Sequence, residues 1–161
     1  NTNNMNVALN KNDFNINNIF YQNSIPNTVM DHANFIRILY SNELITINGV
    51  FIKINMKINN IEAFYNKYKC IFNANDNTET TNAIKEIERQ IIDNYQTNKT
   101  PVYKIREQLN TMSIKIFTET NVRKIPGEFI LKISGLWETP TEYGITYKFT
   151  NINHQLQNTQ G

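Results

Sequence analysis

Several ingredients of common enzyme chemistry are scarce in this chain of 161 residues. A single cysteine, Cys70, excludes an internal disulfide and a cysteine-rich metal knuckle, and it fits a reducing compartment. Two histidines, His32 in a loop and His154 near the end, are too few for the spaced pairs of a zinc site. They also leave no Cys–His or Ser–His pair with a positioned base. Five scattered glycines cannot form a loop that cradles phosphate. Four aspartates, Asp13, Asp31, Asp76 and Asp93, do not cluster as a two-metal nuclease site requires. Glu138 and Glu142 flank a loop and read as solvated charge. No apolar run approaches the roughly 20 residues of a membrane span, and no signal-peptide pattern opens the chain. These absences point away from an enzyme, a cofactor, a metal and a membrane.

Charge of one sign is scarce too. The formal net charge is +2, so a nucleic-acid site must be a local groove rather than the whole surface. Asparagine and isoleucine are abundant instead, at 29 and 24 residues. Their codons are AT-rich, so the bias reads as genome composition and makes single asparagines poor markers of a site. The chain opens on Asn1 rather than Met, which reads as the start of a fragment.

The pattern along the chain is that of strands. Residues 1–18 are polar and read as a flexible arm, 19–151 as one domain, and 152–161 as a flexible tail. Ile19–Tyr21 opens a short strand. Asn34–Tyr40 follows, with Phe35, Arg37 and Leu39 on one face. Asn48-Gly49 predicts a hairpin between Leu44–Ile47 and Val50–Ile58, because both residues accept positive φ. Past it, Phe51, Lys53 and Lys57 oppose Val50, Ile52, Ile54 and Met56. Phe64–Ala74 reads as one strand, with Phe64, Tyr68, Cys70 and Phe72 opposite Tyr65, Lys67 and Lys69. Asp76 and Glu79 read as a capping box for a helix striped by Ile84, Ile87, Ile91, Ile92 and Tyr95. Lys85, Glu86, Glu88, Arg89 and Asp93 lie off that stripe. Tyr103–Leu109 reads equally as helix or strand. Met112–Thr118 is a strand with Lys115 and Phe117 on one face, and Asn121–Pro126 is a basic loop. Gly127–Phe149 closes the chain as two alternating strands joined by Gly135–Glu142, the linker that carries Trp137. Six or seven strands and one principal helix predict a mainly β (α+β) fold, an OB-like antiparallel β-barrel with one amphipathic helix packed on it.

Basic and aromatic residues recur on one side of these strands: Arg37, Phe51, Lys53, Lys57, Tyr65, Lys67, Lys69, Lys115, Phe117, Lys132 and Lys148. Arg123 and Lys124 extend the set in a loop, and Trp137 adds a large ring. Lysine is ordinary on the solvent face of a sheet, but aromatics on the same side are not. Lysines that neutralise phosphates, interleaved with stacking rings, are what single-strand binders need.

The order of a strand at Tyr68–Ala74, a long helix over Thr78–Tyr95, and a closing basic hairpin, GEFILKISGLWETPTEYGITYKF, resembles the OB-fold single-stranded-DNA-binding proteins of podophage type. It is similar as well to related proteins of large eukaryotic DNA viruses, and the hairpin to uncharacterised proteins of giant viruses of protists. The resemblance spans residues 35–150. It implies sequence-independent coating of single-stranded DNA during viral replication, in cytoplasm or nucleus, alongside replication proteins and with self-association open. Within the hairpin it implies roles for Lys132, Trp137 and Lys148. One feature departs from that family: the segment from His154 to Gly161 has no acidic residue, where the phage-type proteins carry an acidic tail. The alternative is a structural protein of a large DNA virus, a minor capsid or scaffold component of the virion, with Trp137 as an interface anchor. A subunit of a replication or transcription complex is a third reading.

Overall fold

Alternating apolar residues build about half of the described residues into strands. The structure, a computed structural model, describes residues 8–117, 122 and 124–152. In chain order the strands are β1 (Leu9–Asn10), β2 (Ile19–Pro26), β3 (Asn34–Ser41), β4 (Thr46–Asn48), β5 (Val50–Asn55), β6 (Ile58–Phe64), β7 (Lys67–Phe72), β8 (Thr100–Val102), β9 (Ser113–Phe117), β10 (Glu128–Glu138) and β11 (Glu142–Asn151). Helix α1 (Thr78–Asn94) follows β7, and α2 (Lys104–Asn110) follows β8. The strands form one mixed sheet along the path β1-β5-β10-β11-β9-β7-β6. β3 also pairs with β10, carrying β2 and β4 beside it, and β8 pairs with β11. The fold is thus mainly β with two helices, but the sheet is not closed into a barrel. Three pairings, β1–β5, β11–β8 and β11–β9, are parallel, where an all-antiparallel arrangement was expected. A parallel neighbour cannot come from a hairpin, so chain-order patterning does not announce it.

The core lies on one face. Ile52, Ile54, Phe129, Leu131, Ile145 and Phe149 point from the sheet toward Ile84, Ile87, Ile91 and Ile92 of α1 and Ile105 and Leu109 of α2. The predicted isoleucine stripe is therefore the buried face of α1. Residues 9–18, expected in the arm, are folded instead. Two single turns of 3₁₀ helix bring Phe14 and Ile16 against the core with Leu9, and the Tyr40 hydroxyl accepts the Asn15 backbone N–H at 3.2 Å. Residues 1–7 and 153–161, the rest of the expected arm and tail, lie outside the described residues.

Four local expectations are corrected. First, Asn48-Gly49 does not close a hairpin. β4 pairs back on β3, and Gly49, at φ 83°, turns the chain off that edge onto β10. There β5 runs beside Glu128–Ile133 while β3 runs beside Gly135–Glu138. Second, Phe64–Ala74 is broken at Tyr65, whose φ of 54° turns β6 into β7. Third, Asp76 does not cap α1. Asn77 precedes the helix, and its side chain accepts from the Lys57 N–H at 2.8 Å while donating to the Lys57 carbonyl at 3.0 Å. Only an amide offers both a donor and an acceptor for that clasp, which leaves Asp76 beside the Lys57 ammonium at 3.9 Å.

Fourth, Glu88 is not a surface charge. It is fully buried, and its two carboxylate oxygens accept the backbone N–H groups of Ile105 at 2.7 Å and Arg106 at 2.9 Å. The first turn of α2 is thus satisfied from α1. Burial pushes the Glu88 carboxyl above its usual range despite those two bonds.

Two expectations about stability follow. Gly49→Ala places a Cβ 2.7 Å from the Ile133 carbonyl oxygen in left-handed backbone, so unfolding in denaturant should show a loss of about 1–3 kcal/mol. Glu88→Ala leaves two backbone donors unpaired at a buried helix end and should cost about 1–3 kcal/mol at neutral pH. The sign of the pH effect is set by the raised carboxyl. Its contribution to stability is fully present below the unfolded-state range and declines as pH rises through the folded-state value. A pH series of unfolding curves should show that decline in the parent protein and not in the variant.

Candidate functional site

Residues directly opposite one another on paired strands share a face of the sheet. Lys132 of β10 lies opposite Phe51 of β5 and Lys148 of β11. β11 and β9 run parallel with Phe149 opposite Ile116, which sets Lys148 beside Lys115. Lys115 in turn lies opposite Lys69 of β7, and Lys69 opposite Glu62 of β6. One row therefore crosses six strands as Phe51, Lys132, Lys148, Lys115, Lys69, Glu62. The row beside it reads Lys53, Ile130, Thr150, Phe117, Lys67, Phe64 by the same registers. Both lie on the face opposite the helices.

The first row places four lysines on consecutive strands with no acid between them. At about 4.8 Å per strand, it runs for roughly 14 Å. Like charges set opposite one another oppose folding, and Lys132 is in addition partly buried. Burial, and then repulsion from Lys148 and Arg37, hold its ammonium below the usual lysine range. Its Nζ sits 5.5 Å from the centre of the Phe51 ring. In the second row Lys67 Nζ lies 4.8 Å from the centre of the Phe117 ring, which is 46 % exposed. Lys53 is partly neutralised by Glu128 at 3.8 Å. Arg37, opposite Gly135, adds an exposed charge on the same face.

The structure thus gathers nine of the residues named from the sequence: Arg37, Phe51, Lys53, Lys67, Lys69, Lys115, Phe117, Lys132 and Lys148. Tyr65 stands at the β6–β7 turn, 93 % exposed, at the end of the face rather than within it. Lys124 is exposed in the β9–β10 connection, where no strand register ties it to the rows. Arg123 lies outside the described residues.

Trp137 requires correction. The linker expected at Gly135–Glu142 is only residues 139–141, and Trp137 belongs to β10. Its side chain is 5 % exposed. The ring lies so close to Gly144 across the strand that a Cβ there would meet it at 2.8 Å, and Lys104 Nζ sits 4.4 Å from its centre. No flat face remains for a base. Tyr143 is likewise a core residue, its hydroxyl donating to the Ile92 carbonyl at 3.0 Å. Glu138, expected to be solvated, is buried, pairs with Lys99 at 3.1 Å and accepts from the Ser24 hydroxyl at 3.0 Å.

Two residues of the face were missed in the sequence, Glu62 and Phe64. Tyr65-Asn66 carried the signal. Asparagine is a turn residue, and a turn there puts Phe64 opposite Lys67 instead of on the face of Cys70. Among the described residues no group of three or more His, Cys, Asp or Glu could hold a metal ion, and no helix is long and apolar enough to cross a membrane. Comparison with protein-family models, with curated proteins and with solved structures finds no match to the chain.

The lysine row generates its own stability test. Lys148→Thr removes one of the two inner charges and puts a strand-favouring side chain in its place. In the absence of ligand, denaturant unfolding should show a gain of about 0.2–1 kcal/mol. A loss of stability would mean that the four ammoniums do not oppose one another.

Proposed function

We propose that the lysine face binds single-stranded DNA, mainly through its phosphates. The observation that carries this reading is the unbroken row of Lys132, Lys148, Lys115 and Lys69 on four adjacent strands. Such a row is unfavourable by itself and is relieved by a polyanion laid along it. The neighbouring row supplies the second requirement, rings within reach of the bases: Phe117 and Phe64 are both about half exposed or more. A single strand offers its base faces to such rings, whereas a duplex keeps them stacked inside. An OB-like barrel is not needed for this activity. What the resemblance to OB-fold single-strand binders contributes is the combination of a β-surface, a phosphate track and stacking aromatics, and an open sheet can present all three.

The test is fluorescence anisotropy of a labelled oligo-dT titrated with protein at several salt concentrations, with duplex competitor. The expected result is preferential binding of the single strand, with log K falling against log salt by about 0.7 per neutralised phosphate. Lys69→Ala and Lys115→Ala should each lower that slope by about 0.7. Phe117→Ala should weaken binding by about 1–3 kcal/mol and leave the slope unchanged. Absence of binding at low salt, or equal binding of duplex, would remove the proposal.

A further inference from the structure

At the β6 end of the face the two rows close on a cleft of about 300 Å³, lined by Glu62, Ala63, Phe64, Lys67, Lys69 and Lys115. That is the small end of the range for ligand sites. Its chemistry is mixed in a particular way. Phe64 is 62 % exposed, and Tyr65 packs edge-on against it, ring centres 4.8 Å apart, so the ring is held while one side stays open. Glu62 sits two residues back on the same strand face, about 7 Å away along the strand. Its carboxylate has no hydrogen-bond or ion-pair partner among the described residues. Three lysines surround it, yet the acid is retained at the end of a row that is otherwise wholly basic.

We infer that this cleft takes one nucleobase of the bound strand and selects guanine over thymine. The inference rests on the proposed DNA-binding role of the face. Phe64 is the stacking wall, Lys67, Lys69 and Lys115 hold the flanking phosphates, and Glu62 reads the base edge. An ionised carboxylate only accepts hydrogen bonds. On an unpaired guanine the Watson–Crick edge presents N1–H and the N2 amino group side by side, two donors that one carboxylate spans. Thymine presents a single N3–H between two carbonyl oxygens, both of which repel the carboxylate. Cytosine and adenine each present one amino donor beside a ring-nitrogen acceptor, so neither offers the carboxylate a donor pair. The edge is free to be read in this way because the strand is single. Phosphate, by contrast, is repelled by Glu62, so the acid lowers overall affinity while it confers selectivity.

The experiment compares a short oligo-dT with the same oligomer carrying one central dG, each titrated by anisotropy against the full chain and against Glu62→Ala. The expected result is tighter binding of the dG oligomer by about fivefold or more. In Glu62→Ala that preference should vanish while oligo-dT binds more tightly than before. Glu62 is an exposed residue on an edge strand, and an unchanged circular-dichroism spectrum will show that the variant is folded. If both oligomers bind equally and the variant changes neither ratio, the base-reading cleft is wrong and the DNA-binding proposal stands. If neither oligomer binds at low salt, both fall together. A dG preference that persists in Glu62→Ala would transfer selectivity to Phe64 stacking and overturn the role given to the carboxylate.

Discussion

The structure depends on β10 being paired along its whole length on both sides. On one edge β11 accompanies it from Phe129 to Glu138. On the other, β5 and β3 share the edge end to end, meeting near Ile133 and Gly135. Two strands on one edge need a corner where the chain leaves the first and joins the second, and Gly49 provides it. The corner is tight enough that the missing side chain matters as much as the positive φ, since any Cβ would press on the Ile133 carbonyl. β10 itself shifts register against β11 at the same level, between Ile133 and Gly135, and an irregularity of this kind bends a strand. Gly135 completes the joint by letting the Phe35 ring lie against the backbone.

Covering one face of such a sheet is sufficient for a core. The isoleucines of α1, with Ile105 and Leu109 of α2, meet the inward residues of β5, β9, β10 and β11. The second helix is short and is anchored at its start by the buried carboxylate of Glu88. With both helices on that side, most of the opposite face meets water and carries charged residues, while Ile130 and Thr150 in its middle are buried. The charges do not need to be of one sign. Alternating lysine and glutamate would be as soluble and would favour folding through cross-strand pairs. The row of four lysines is therefore a choice that hydration does not explain.

Much of this was legible in the sequence, and the boundary between what was and was not is physical. Period-two alternation is a local property, so β3, β5, β10 and β11 and the side on which the lysines within β5, β10 and β11 stand could be read directly, whereas Lys57, expected beside Lys53, lies past the end of β5 against Asp76. The stripe of α1 was readable for the same reason. Register is not local. That Lys132, Lys148, Lys115 and Lys69 fall in line depends on four strands meeting from distant parts of the chain, two of them parallel. Asn48-Gly49 announced a change of direction but not which strand would be met after it. Trp137 resembled a loop anchor because its neighbours are turn formers. Its burial comes from Gly144 across the strand and Lys104 of α2, neither visible in its own segment. Glu88 looked like its charged neighbours on α1, and only the arrival of α2 makes it a buried cap.

The direction of the rows constrains what they can hold. The lysines line up across the strands, while along the strands the next residues on the same face, about 7 Å away, are Ile130, Thr150, Phe117, Lys67 and Phe64. A polyanion following the charges must therefore cross the strands at a steep angle, with one flank against the charged row and the other over a row containing two aromatics. A folded protein partner with scattered acids would have no reason to match a line of charges one strand apart. A chain with one negative charge at each regular step and a flat apolar group on each step does. On the proposed reading an open sheet suits such a strand better than a closed barrel, because curvature tight enough to close would splay the outward lysines and separate the charges along the row.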